Sequence, residues 1–368
     1  ADSIDPADKA GYAYARLPGK DGEAPPVHAK LDAGDELVIE RVLAVGASPA
    51  EAYGVVARRL GLPVSEVNVS LRKPAGAPVT TARVNLTRNG QSVPAYPDEL
   101  GRIRLDLPRG DWKLEVADHG RPTVSRSFTL GEEPVRLEIA MEPAARISFD
   151  VRKEDGSPSP CKAQFIGVEG TSSPNLGPTD RARGCRDQYH SHAGKFSVAL
   201  APGKYRVVLT RGIEYDHFEQ IVTLPKGETV AVSATLRRSV PTPGWVSTDF
   251  HNHSTPSGDN VCGTDDRVIN LAAEHIEFAP TTEHNRIYDW TPHIEKLGLA
   301  KEISTVPGME LTGSGAHLNA FPLSPRPRLQ DGGAPAWVKD PRINAINLRN
   351  HQGFRADRWI HVNHPDMI

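Results

Sequence analysis

Gly101-Arg-Ile-Arg-Leu-Asp-Leu-Pro-Arg-Gly110-Asp-Trp112-Lys-Leu-Glu-Val116 returns later in the chain as Gly194-Lys-Phe-Ser-Val-Ala-Leu-Ala-Pro-Gly203-Lys-Tyr205-Arg-Val-Val-Leu209. The glycine pairs 101/194 and 110/203 and the aromatic pair 112/205 keep one constant offset. Apolar and polar residues alternate on both sides of a Pro/Gly turn, the pattern of a hairpin with one buried face. Both copies continue into a further alternating run, Val135–Ile139 and Val230–Leu236. Both also open with a strand ending in a turn signal, Asn89-Gly90 in one and Asp155-Gly156 in the other. The expectation is two small β-sandwiches in tandem, over residues 79–143 and 144–240.

These modules resemble the carboxypeptidase-regulatory-like and Cna-B-like (transthyretin-type) domains common on exported proteins. The second copy is longer by an insertion, Gly170 to Ser191, flanked over most of its length by Cys161 and Cys185. In an oxidising compartment the two would join, closing a loop of about 25 residues for roughly 3 kcal/mol; otherwise they are ordinary thiols. Upstream, residues 1–78 read as a lead-in unit. Glu36–Val45 reads as a strand, and Ser48-Pro-Ala-Glu51 reads as a capping box opening a helix that runs to about Leu60 and stops at Gly61. The start at Ala1-Asp2-Ser3 fits a mature chain after signal cleavage, hence a periplasmic or extracellular location, or equally a trimmed one.

Composition bounds the function. Lys plus Arg is 43, Asp plus Glu is 46 and the net charge is -3, so there is no basic excess for tracking nucleic-acid phosphates. The apolar fraction is 38% with no run near the 18 or so residues of a membrane span. Three cysteines make neither a disulfide scaffold nor a Cys-ligated zinc site.

Histidine then divides the chain: nine of the 14 lie after residue 250, beyond the stiff linker Pro241-Thr-Pro-Gly244. Trp245–Ser254 reads as a strand running into a loop, which sets His251 and His253 on one side where both imidazoles can reach one cation. Asp259 follows in a turn. Asp265–His275 has helical spacing, Glu277–Thr282 reads as a strand ending in Glu283-His284-Asn285, and Ile303–Val306 leads into Pro307-Gly-Met-Glu310. His317-Leu-Asn319 and a last strand, Trp359–Asn363 ending in His364, complete the series. Strand–helix units thus alternate, each delivering His, Glu or Asp at a strand's carboxyl end, where parallel α/β sheets keep their sites.

The order His-x-His, Asp, Thr-Glu-His-Asn, Pro-Gly-Met-Glu, His-x-Asn, Asn-His-Pro resembles the polymerase-and-histidinol-phosphatase (PHP) superfamily. Thr282-Glu-His-Asn285, Glu310-Leu-Thr312 and His317–Pro322 are most similar to its carbaryl-hydrolase-like metallohydrolases, over roughly residues 244–368. The resemblance implies a distorted seven-stranded (β/α) barrel around two or three divalent metal ions, zinc first and manganese or iron next. His251 and His253 would hold the first metal, and Glu310 would bridge it to a second on His317 and His364. Asp259 and His284 would hold the third, with Asp249, Glu283 and Asn319 fixing imidazole tautomers. His275, His293, His351 and His361 match no motif, and Cys262 reads as a buried bystander. The family's late Asp-x-His has no counterpart here, and roughly 125 residues fall short of the ~200 of a complete barrel, so the barrel is expected to be incomplete and the chain truncated.

The implied activity is metal-assisted hydrolysis of an ester, amide, carbamate or phosphoester in a small molecule. The alternative is an exported binding or adhesion protein whose metal centre is structural.

Overall fold

The computed structural model describes residues 43–46, 48–313 and 316–364, grouped into two compact units. Of the described residues, the first holds those up to Ala145 with Ala199–Ala201 and Lys226–Glu228; the second holds Arg146–Val198, Pro202–Pro225 and those from Thr229 on. Most of the strand expected over 36–45, like the chain start, lies outside the described residues. Residues 43–46 carry no strand.

In the first unit, helix α1 (Pro49–Arg59) starts where its cap chemistry places it: the Ser48 hydroxyl accepts from the Glu51 amide at 3.2 Å, with Pro49 in the first turn. Seven strands follow: β1 (Val64–Arg72), β2 (Arg83–Arg88), β3 (Gln91–Ala95), β4 (Arg102–Pro108), β5 (Gly110–Ala117), β6 (Val124–Leu130) and β7 (Val135–Ala140). They form two sheets, β4-β1-β7 and β3-β2-β5-β6. The alternation read from the sequence sends Ile103, Leu105, Leu107, Trp112, Leu114 and Val116 into one shared core. The boundary at residue 79 is too late, since β1 is the central strand of its sheet. Its alternation over Val64–Arg72 is as regular as that of the hairpins, but nothing in the recurring stretch marks it.

The second unit repeats this topology strand for strand. β8 (Arg146–Lys153), β9 (Cys161–Val168), β10 (Gln188–Ser191), β11 (Lys195–Ala199), β12 (Gly203–Thr210), β13 (Phe218–Leu224) and β14 (Thr229–Leu236) pair as β11-β8-β14 and β10-β9-β12-β13. Gly101 and Gly194 occupy one structural position. Both have positive φ (+71° and +67°), and a Cβ on either would stand 2.5 Å from a backbone oxygen, of Leu71 or of Val151. The two turn signals are not equivalent: Asn89-Gly90 joins β2 to β3, whereas Asp155-Gly156 follows β8 and corresponds to the turn at Gly76 after β1. The cysteines are all free. Cys161 is opposite Ser191 in the β9–β10 register, while Cys185 bridges to Gln188, three residues or about 10 Å along the strand. That is too far for a disulfide.

The same unit continues through α2 (Thr264–Ala273), α3 (Thr291–Lys296), β15 (Met309–Gly313), β16 (Ala316–Phe321), α4 (Pro341–Asn350) and β17 (Trp359–Val362). Lys153 and Arg211 of the sandwich reach Glu302 at 2.6 Å each, and Lys162 reaches Glu274 at 2.5 Å. No barrel closes among the described residues. The extended segments at Thr248, Phe278 and Ser304 do run parallel, but as isolated bridges, and β15-β16-β17 is antiparallel throughout. Only two residues separate β15 from β16, whereas a parallel connection needs about a dozen.

Candidate metal centre

The β15-β16-β17 sheet has two chemically distinct faces. Met309, Leu311, Leu318 and Ala320 point into an apolar cluster that includes Leu348 of α4. Strand alternation sends Glu310 and Thr312 to the other face, with their register partners Asn319 and His317. Asn363 extends this face, its amide donating to the His317 carbonyl at 2.9 Å. A second backbone segment is clamped alongside. Glu310 N–H donates to the Glu283 carbonyl at 2.9 Å, and Asn285 N–H donates to that of Glu310 at 2.7 Å. The Asn285 side chain grips both backbone groups of Thr312 at 2.9 Å. This ladder fixes His284 beside Glu310.

Glu310 is the centre. It is fully buried, and five imidazoles face its two oxygens. Its Oε2 lies 3.1 Å from His253 Nε2, 3.1 Å from His284 Nδ1 and 3.4 Å from His251 Nε2. Its Oε1 lies 3.1 Å from His317 Nδ1 and 3.7 Å from His364 Nε2. Asp259, largely exposed, approaches His284 Nε2 at 3.2 Å. All seven ligand residues read from the sequence therefore lie in one neighbourhood. His251, His253 and Glu310 form one group with metal-ligand spacing, and Glu310, His317 and His364 form another.

Burial resists ionisation of Glu310, but the approach of His253, the Asn363 amide, His284 and His251 outweighs it and holds the carboxyl down at about 2. Burial pushes His251 and His284 below the ordinary imidazole value despite the pull of that carboxylate, so their nitrogens favour the neutral form a cation requires. The donor set suits a divalent metal on a further count. Among the described residues, Glu310 Oε2 and His317 Nδ1 are buried without a hydrogen-bond partner, although imidazole nitrogens stand near the first and a Glu310 oxygen near the second. Lone pairs converging from several sides are satisfied by a cation.

The supporting residues act less directly than expected. Asp249 accepts from the His251 backbone N–H at 3.0 Å rather than from its ring. Glu283, fully buried, accepts from the Ser257 hydroxyl at 2.6 Å; that hydroxyl stands 3.1 Å from His253 Nδ1. The relay makes Nδ1 the protonated nitrogen and leaves Nε2 free toward Glu310. Asn319 donates to the Phe250 carbonyl at 2.8 Å and accepts from Asn363 at 2.8 Å. Thr312 holds His284 Nδ1 at 2.6 Å. Ser257, Thr312 and Asn363 were not singled out from the sequence. Ser and Thr in turns are too common to signal a role, though Asn363 directly precedes the candidate ligand His364. His275 pairs instead with Glu214 at 3.0 Å, and His293 with Asp265 at 2.7 Å. His351 Nε2 stands 2.8 Å from the Gly333 carbonyl oxygen, His361 lies on exposed β17, and Cys262 is buried.

No family model and no curated protein matches this chain. Solved structures do. A Bacillus anthracis TIE protein is 12% identical with TM-score 0.21, over 51% of this chain and 36% of that one. A streptococcal ancillary pilin is 14% identical with TM-score 0.26, over 48% and 62%. A point mutant of the shaft pilin spaA of Lactobacillus rhamnosus GG is 12% identical with TM-score 0.31, over 50% of this chain and all of that one. The chain thus spans less than two thirds of the first two. The two modules of this chain are β-sandwiches by their own sheet pairing. Among the described residues no helix is long and apolar enough to cross a membrane.

Proposed function

We propose that the histidine-rich region is the site of a PHP-type metal-dependent hydrolase, similar to the carbaryl-hydrolase-like branch, on an exported protein. One observation carries this reading: a buried carboxylate with imidazoles converging on both of its oxygens. His251 and His253 would hold one divalent cation and His317 and His364 another, sharing Glu310, while Asp259 and His284 would hold a third. Zinc suits the imidazoles, with manganese or iron next where carboxylates bridge. Bound there, such cations supply Lewis acidity toward a carbonyl or phosphoryl oxygen and lower the pKa of a water.

The protein's own part is to fix the donors. Ser257 and Glu283 set the His253 tautomer, Thr312 holds His284, and Asn363 holds Glu310. The nearest guanidiniums are engaged, Arg267 with the His253 carbonyl at 2.8 Å and Arg286 with Asp331 at 3.3 Å. This favours an ester, amide or carbamate over a phosphoester, since phosphate recognition recruits free Arg or Lys. Metal analysis of the full chain, with hydrolysis of p-nitrophenyl acetate and bis-p-nitrophenyl phosphate, tests the reading. Bound metal with turnover lost in His251→Ala supports it. Metal without turnover supports the second reading, an exported binding protein built on its two sandwich modules.

A further inference from the structure

The loop after β12 is pressed onto the end of α2. Gly212 leaves no room for a Cβ beside the Glu274 carbonyl oxygen, so the two backbones touch there. The residues around Gly212 bracket His275, which follows α2 with φ +57°. Its ring meets Tyr215 edge to face at 5.0 Å between centroids, and Arg211 covers Tyr215 at 5.1 Å. Glu214 Oε2 stands 3.0 Å from Nδ1, and Glu277 Oε1 stands 3.9 Å from Nε2. His275 is only 8% exposed, and its Nδ1 has no directed hydrogen bond among the described residues. The carboxylates nearby are already engaged. Arg238 Nη2 donates to Glu214 Oε2 at 2.6 Å and Thr242 Oγ1 to its Oε1 at 2.9 Å, while Lys162 takes Glu274 at 2.5 Å. The Glu214 carbonyl accepts from the Ser239 and Val240 amides at 3.0 and 3.1 Å, which pins the chain just before the Pro241–Gly244 linker. No candidate metal ligand takes part in this cluster.

We propose that His275 is an acid-sensitive latch between the second sandwich and the histidine-rich region, closed while its ring is neutral and loosened when the ring is protonated. The neutral imidazole packs between Tyr215 and the end of α2 without needing a counter-charge. A protonated ring becomes a buried cation close to the Arg211 and Arg238 guanidiniums. Of the two carboxylates it faces, Glu214 is already matched by Arg238, and Glu277 lies beyond hydrogen-bond reach. Burial and Arg211, with a smaller push from Arg238, hold the ring below the ordinary imidazole value, and the pull of Glu277 and Glu214 does not reverse it. An imidazole depressed by folding gives stability that is present above its unfolded value, about 6.5, and lost as pH falls through the folded one. Glu214 and Glu302 stay ionised in that range, since both are held below the usual carboxylate value.

Hydrogen–deuterium exchange of the full chain, corrected for intrinsic rates, reads the latch at the Ser239 and Val240 amides. Wild-type protection there should fall by about 3- to 10-fold between pH 7.5 and pH 5.5, about 10 being the ceiling one pH unit below the unfolded value. The β9–β12 ladder should keep its protection over the same range. Other imidazoles titrate here too, so two variants isolate residue 275. His275→Asn suits the left-handed backbone, and His275→Gln is closer in size; melting transitions at pH 7.5 check that both fold. Each should show the same Ser239 and Val240 protection at both pH values. Constant protection in the wild type overturns the inference, and so does a fall of equal size in the two variants.

Discussion

Arg211, whose guanidinium is only 1% exposed, donates to Glu302 at 2.6 Å and so ties strand-end chemistry of the second sandwich to the segment before β15. Lys153 reaches the other oxygen of the same carboxylate at 2.6 Å. The second sandwich is therefore part of the compact unit that carries the candidate site, where the sequence reading separated the two at the Pro241–Gly244 linker.

Removing one partner of a buried ion pair leaves the other uncompensated. Arg211→Met should destabilise the unit by about 3 kcal/mol, the lower end of such losses because Lys153 remains. Burial would raise the Glu302 pKa, but Lys153 and Arg211 hold it below its ordinary value. A depressed folded pKa gives stability that is present above the unfolded value, about 4.3, and lost as pH falls through the folded one. Urea unfolding should thus separate wild type from Glu302→Gln at pH 7, with the difference shrinking once pH drops below about 4.3.

Ser257 joins His253 to Glu283. Ser257→Ala should leave the melting transition nearly unchanged yet weaken zinc binding by about 10- to 100-fold, the usual effect of losing a group that orients a metal-binding imidazole. Titration calorimetry measures it, and unchanged affinity would count against the relay.

Gly101 and Gly194 make a matched pair. Alanine at either meets a left-handed backbone conformation and a backbone oxygen at 2.5 Å. Each should cost at least about 1–3 kcal/mol by denaturant titration, with similar values at the two positions because the strands around them correspond.

The sandwiches were legible because one-sided burial imposes a period of two, and the pairs 101/194 and 112/205 marked the same turn and the same buried aromatic twice. β1 was missed because it lies outside the recurring stretch. The turn mismatch had a related cause: Asn89-Gly90 and Asp155-Gly156 look alike locally, and only strand pairing distinguishes them. The disulfide failed on register, which spacing in sequence does not reveal. In the histidine-rich region the candidate ligand residues stood out by type, but the residues that support them did not. Ser257 and Asn363 gain meaning only from which atoms their neighbours leave free. The parallel barrel was carried over from the family resemblance, and the two-residue gap between Met309–Gly313 and Ala316–Phe321, which forces an antiparallel hairpin, emerges only with the strand bounds.

In the proposed centre Glu310 joins two cation sites. Zinc content of the metal-loaded, desalted full chain, measured beside Glu310→Ala, tests it most directly. The expected result is two or more zinc ions per wild-type chain, on the scale of about two for carboxylate-bridged centres, with most of that zinc lost in the variant while its melting transition persists. Wild-type zinc content in Glu310→Ala would contradict the account.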